Sequence, residues 1–113
     1  YRGKCCVTGL EVPSLLIASH IKPWSESDPN TERTNPCNGL SLNVLHHEAF
    51  DNGIFTIDTD YRILVSRTAK DRYTSETFND FFGKYEGKFI TLPERFMPSK
   101  EMIIYHNSKL INF

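Results

Sequence analysis

The sequence has no charge excess of either sign: 13 Lys and Arg stand against 14 Asp and Glu, for a formal charge of -1 and a sequence pI near 6.5. A protein that holds nucleic acid by bulk cationic charge shows a clear surplus of Lys and Arg. Contact with a phosphate backbone here therefore needs a local cluster, a bound cation or another domain. Long apolar runs are also missing. Residues 15–18 make a run far too short to cross a bilayer, and no signal-peptide pattern is read, so a cytoplasmic protein without membrane partners is expected. Cysteine is scarce: Cys5 and Cys6 are adjacent and Cys37 stands alone, a spacing that strains against a mutual disulfide and contains no C-x-x-C. The reading is reduced, buried thiols. Repeats and low-complexity segments are absent as well.

What remains is an ordinary globular balance over 113 residues, with 39% hydrophobic, 12% aromatic and 24% charged, enough for one domain with a single core. The abrupt opening at Tyr1 leads us to expect further residues upstream. An apolar segment from Leu15 through Ile21 ends before Pro23 and reads as a strand closed by a rigid turn. Residues 25–36, SESDPNTERTNP, form a long polar loop of the functional or mobile kind. Asn38-Gly39-Leu40-Ser41-Leu42 gives a second strand, Asn43 caps a helix over residues 44–51, and Asn52-Gly53 stops it. Residues 54–58 and 61–65 alternate around a Thr59-Asp60 turn and predict a hairpin. Residues 75–85 read as helix with Phe78, Phe81 and Phe82 on one side. Residues 88–92 read as a brief strand and 98–110 as a closing helix, with 111–113 as a frayed end. The fold class is α+β.

There are four histidines, His20, His46, His47 and His106, and the placement of the first three is informative, while His106 in the last helix is expected to pack or face water. His20 closes a strand just before a proline, where a side chain can stand at the rim of a cleft. His47 and Asp51 are four apart in the short helix, so at about 100° per residue they share one face, roughly 40° apart. Leu45 and Ala49 point nearly the other way and are expected to form the buried back of that helix. An imidazole and a carboxylate one turn apart make a half-site for a divalent cation, with positions left for water and substrate. His20 could then take a proton from water at neutral pH. His46 diverges from His47 by about 100°, so only one of them faces the cleft, and His47 is the one that shares it with Asp51. Among the cations, Lys22, Arg33, Arg62, Arg67, Lys70 and Arg72 could touch phosphates, and residues 67–72 are the densest basic stretch. Trp24 reads as a packing lid over the strand end, and Glu48 and Asp58 as surface charges.

Taken together, Cys6-Val7-Thr8-Gly9, Ala18-Ser19-His20-Ile21-Lys22-Pro23-Trp24, Asn38-Gly39-Leu40-Ser41-Leu42 and Leu45-His46-His47-Glu48-Ala49-Phe50-Asp51-Asn52-Gly53 resemble the HNH endonucleases of the bacterial restriction type. The resemblance covers most of the chain. It implies a small single domain built round a ββα-metal finger, core about 5–53, with an added hairpin and C-terminal helices over about 54–113. It implies His20 as general base, Asn38 as the residue that orients the loop carrying it, and His47 and Asp51 as metal ligands. Several branches carry an Asp or His ligand where this chain has Ser19, so Ser19 is the third metal candidate, directly or through water. The implied cofactor is a divalent cation, magnesium first, with manganese, nickel or zinc as alternatives. The implied substrate is DNA, with Lys22, Arg67, Lys70 and Arg72 as backbone contacts, a further recognition domain in the full-length chain and a homodimer for double-strand cleavage. The alternatives are a noncatalytic DNA-binding or interaction module held by zinc through Cys5, Cys6 or Cys37 and a histidine, and a nuclease acting on RNA.

Overall fold

The computed structural model describes residues 1–110 and 113. The expected frayed end therefore falls, at 111 and 112, outside the described residues.

Two prolines bracket the first strand. Pro13 opens a 3-10 turn, Pro13–Leu15, which takes Leu15 out of the expected strand and leaves β1 as Leu16–His20. Pro23 is extended and leads into a second turn, Trp24–Glu26. Across the polar loop, Asn35 caps the turn Pro36–Asn38 by accepting from the Cys37 amide, and the chain enters β2, Gly39–Asn43. β1 and β2 pair antiparallel with Ser19 opposite Leu40 and His20 opposite Gly39. Alternation along the pair sorts its faces. Ser19, Leu40 and Leu42 are buried on one, while Ala18 and His20 stand on the other.

Helix α1, Val44–Asp51, begins as expected, with the Asn43 side chain accepting from the His46 amide. It ends at Gly53, whose φ of +71° lies in the left-handed region that costs a side chain strain. α1 packs on both β1 and β2, completing a ββα unit. Its buried back is corrected, however: Leu45 is 48% exposed, and the inward residues are His46, Ala49 and Phe50. A single apolar face at helical spacing would have used Leu45. The aromatic residues stacked behind α1 instead accept an imidazole at position 46.

The predicted hairpin forms as β3, Phe55–Ile57, and β4, Ile63–Val65. Asp58 closes its turn by accepting from the Asp60 and Arg62 amides, so it is a turn former rather than a surface charge. The brief strand expected at 88–92 contributes one bridge, Arg62 to Phe89, and then ties the hairpin to the N-terminal segment through the Thr91 amide on the Cys6 carbonyl. Helix α2, Arg67–Arg72, is capped by Ser66. The helix expected at 75–85 divides into α3, Glu76–Phe81, and a 3-10 turn, Gly83–Tyr85. At Gly83 an added Cβ would lie 2.7 Å from the side-chain oxygen of Asn79, one turn back, which would have to shift to admit it. Phe81, expected with Phe78 and Phe82 on the packed side, is 45% exposed. α4, Lys100–Ser108, closes the described fold and buries Met102 and Ile103.

One core joins these pieces. Cys5, Cys6, Ile21, Leu40, Leu42, Phe50, Phe55, Ile57, Ile63 and Ile103 are all essentially inaccessible. Burying a side chain the size of Phe50 contributes about 1.5–3 kcal/mol, so the hairpin and α4 stabilise the ββα unit from behind. His106, stacked on Phe50 at 4.0 Å, is part of that backing. No helix among the described residues is long and apolar enough to cross a membrane.

Candidate active site

His20 ends β1 opposite Gly39, which presents no side chain across the ladder to crowd the ring. Its Nε2–H donates to the Arg33 carbonyl at 2.9 Å. A carbonyl only accepts, so this bond places the proton on Nε2 and leaves Nδ1 with a free lone pair in the neutral ring. Among the described residues Nδ1 has no hydrogen-bond partner. The edge of the ring meets the Trp24 indole at 5.6 Å. Trp24 is 52% exposed, so it buttresses the imidazole from the side rather than lidding the strand end.

The Arg33 carbonyl can do this only if the polar loop is held in place. Asn38, 1% exposed, does the holding. Its Oδ1 accepts from the Lys22 amide at 2.7 Å, and its Nδ2 faces the Lys22 carbonyl at 3.2 Å, the Glu32 carbonyl at 3.2 Å and the Ser27 hydroxyl at 3.3 Å. Lys22 adds a bidentate ion pair to Glu32 at 2.8 and 3.1 Å, which holds the Glu32 carboxyl below its ordinary range, and the Asp28 amide adds to that effect. The loop is thus a pinned turn.

On the helix, His47 Nδ1 lies 2.9 Å from the Ser19 hydroxyl, which is fully buried. His47 Nε2 lies 3.6 Å from Asp51 Oδ2. Two ligands in adjacent positions round a small divalent ion at ~2.1 Å stand about 3 Å apart, so this nitrogen and oxygen are close enough to share one ion after a small rotation. The pair is accessible, at 23% and 51% side-chain exposure. His46, by contrast, is 1% exposed and donates from Nε2 to the Phe81 carbonyl at 2.7 Å. Burial holds its pKa below the usual imidazole value, and the Phe81 carbonyl offsets only part of that. His46 faces the core, whereas His47 is partly exposed beside Asp51.

The structure therefore assembles two sets. His20, Asn38, Arg33 and Trp24 form one; Ser19, His47 and Asp51 form the other. They are joined through the Ser19–His20 peptide and the packing of α1 on β1. The expected backbone contacts are less uniform. Lys22 is spent on Glu32 and lies 4.7 Å over the Tyr105 ring, and Lys70 is paired with Glu86 at 2.7 Å. Arg67 and Arg72 lie on α2, and Arg72 borders a groove with Asn52 and Gly53, just past Asp51. The role of the Arg33 carbonyl was not readable in sequence, because any residue supplies a carbonyl.

The thiol-held zinc arrangement does not form: among the described residues no three His, Cys, Asp or Glu side chains gather as a metal cluster. Cys5 and Cys6 are buried in the core, and burial pushes the Cys6 thiol far above its ordinary pKa. The Asn43 amide faces Cys5 Sγ at 3.6 Å, a packing role.

Residues 5–58 match the family model of the HNH endonucleases. Among solved structures, the fold matches a chain described as a modification dependent TagI restriction endonuclease, with a TM-score of 0.65 and 23% identity. That match covers 95% of this chain and 33% of the other, so this chain spans about a third of that protein's length. No curated protein matches the chain.

Proposed function

Since this chain carries an HNH endonuclease domain over residues 5–58, we propose that it hydrolyses DNA phosphodiester bonds with the help of a divalent cation, His20 serving as general base. The observation that carries the reading is the bond from His20 Nε2 to the Arg33 carbonyl, which fixes the tautomer whose Nδ1 can accept a proton. Water attacks the scissile phosphorus, its proton passes to His20 Nδ1, and the bond to the departing 3′ oxygen breaks. Asn38 keeps the Arg33 carbonyl in register with the ring. His47 and Asp51 would hold the cation through one imidazole nitrogen and one carboxylate oxygen, with magnesium the first expectation and manganese, nickel or zinc as substitutes. When bound, the cation supplies Lewis-acid stabilisation of charge on the phosphate and the leaving oxygen. Ser19 orients His47 through Nδ1, in the way that a partner on the second nitrogen commonly fixes a ligating imidazole.

The core, about 5–53, does the chemistry, and about 54–113 supports it. Arg67 and Arg72 are the α2 residues free to meet the DNA backbone; Lys22 and Lys70 contribute field more than contact because Glu32 and Glu86 already pair with them. The likeness to a protein described as a modification dependent restriction endonuclease extends the reading to a restriction-type enzyme. To this we add, as part of the proposal and from the sequence resemblance alone, a cytoplasmic setting, recognition in a companion domain and a homodimer for cutting both strands. The near-neutral charge is consistent with such help.

The test is plasmid relaxation and linearisation with magnesium or manganese, followed by chelation. Cutting that stops with chelator and is lost in His20→Ala supports the reading. Undiminished cutting by folded, metal-loaded His20→Ala overturns the base assignment, and cleavage of single-stranded RNA but not DNA overturns the substrate.

A further inference from the structure

Arg33 does more than lend a carbonyl. Its Nε–H donates to the Trp24 carbonyl at 3.0 Å, and its guanidinium carbon lies 4.9 Å over the Trp24 ring. Trp24 in turn meets the edge of the His20 ring, and His20 donates back to the Arg33 carbonyl. The three residues interlock, so the guanidinium is held beside the imidazole. Its charge is not spent. Lys22 and Lys70 each have a carboxylate partner, whereas Arg33 has none among the described residues. With Nε committed to Trp24, the two terminal nitrogens remain for an anion, in the planar fork that suits a phosphate. His20 and Arg33 also border one groove, with Asn35, Pro36 and Gly39.

We propose that the Arg33 side chain is a substrate-binding residue, clamping a phosphodiester of the DNA strand next to the base, with Trp24 as the platform that fixes its position. This rests on the nuclease reading above. It also explains how a chain of net charge -1 can hold a polyanion in the groove beside His20, where one uncompensated cation counts more than the overall balance.

Side-chain substitution leaves the carbonyl in place, so the two roles of Arg33 separate cleanly. The experiment measures fluorescence anisotropy of a labelled DNA duplex with wild type, Arg33→Gln and Arg33→Lys across a range of sodium chloride in chelator, together with magnesium-dependent cleavage of the same duplex. Arg33→Gln is expected to weaken binding about 10-fold at low salt and to reduce the slope of log affinity against log salt by about 0.9, one phosphate contact. Arg33→Lys should keep the slope while binding more weakly, having lost the fork. KM should rise more than kcat falls. A slope unchanged in Arg33→Gln, with wild type still cutting, overturns the clamp and leaves the nuclease reading intact. A loss of kcat alone, without change in binding, also overturns it and makes Arg33 a purely positioning residue. A folded wild type that neither binds nor cuts the duplex with any divalent cation overturns both.

Discussion

The Ser19 hydroxyl stands 2.9 Å from Nδ1 of His47, across the packing of α1 on β1 and out of reach of solvent. A hydroxyl can give or take a proton, so it serves His47 whether Nε2 is free or engaged with a cation. Ser19→Ala should therefore lower manganese affinity about 10- to 100-fold by titration calorimetry, with the fold retained by circular dichroism. Water proton relaxivity distinguishes the alternative: were Ser19 a direct ligand, the variant would gain a coordinated water per ion, and here the relaxivity of bound manganese should not change.

The proposed half-site requires both its donors. Asp51→Ala leaves only the His47 imidazole of that pair and should weaken manganese binding at least about 10-fold. Glu48, on the same helix, should tolerate alanine with binding unchanged in the same calorimetric titration.

Asn38 donates and accepts at once, and an aspartate at that position could not donate to the Lys22 and Glu32 carbonyls. Asn38→Asp should lose about 2–3 kcal/mol of stability in urea unfolding, because a buried charge would face two carbonyl oxygens. Residual cleavage should fall further than the loss of folded protein explains, since the Arg33 carbonyl is no longer held against His20.

His46 ties stability to pH. Its folded pKa is depressed by burial, so the unfolded chain takes up its proton first as pH falls. Stability from this residue is full above the ordinary imidazole value of about 6.5 and is lost as pH drops through and below it. Melting temperatures followed from about pH 7.5 down to about pH 5 should decline, and His46→Gln should flatten that part of the decline whatever it costs at neutral pH.

Much of the candidate site's geometry was legible because its residues are close in sequence and obey local rules. Asn43 and Gly53 delimit α1 by capping chemistry, and the four-residue spacing of His47 and Asp51 does put them on one face. What could not be read depends on partners far along the chain. The inward turn of His46 is decided by the Phe81 carbonyl, 35 residues on, and by Phe55, Phe82 and Tyr85 around the ring. Helix α2, capped by Ser66, was not read from the sequence because six residues are too few to show a period. The neutralisation of Lys22 was also hidden, since the loop's coil around Asn38 is what brings Glu32 to it.

The neighbouring pair His46 and His47 puts one imidazole into the aromatic backing and the next onto the partly exposed side, beside Asp51, of a helix barely two turns long. Such a helix cannot roll about its axis without moving both. Anyone shrinking this enzyme to a minimal cutting module by trimming after Gly53 would remove the carbonyl that moors the first ring. The second would then lose its bearing, so a miniaturised version would need a replacement mooring designed in along with its new terminus.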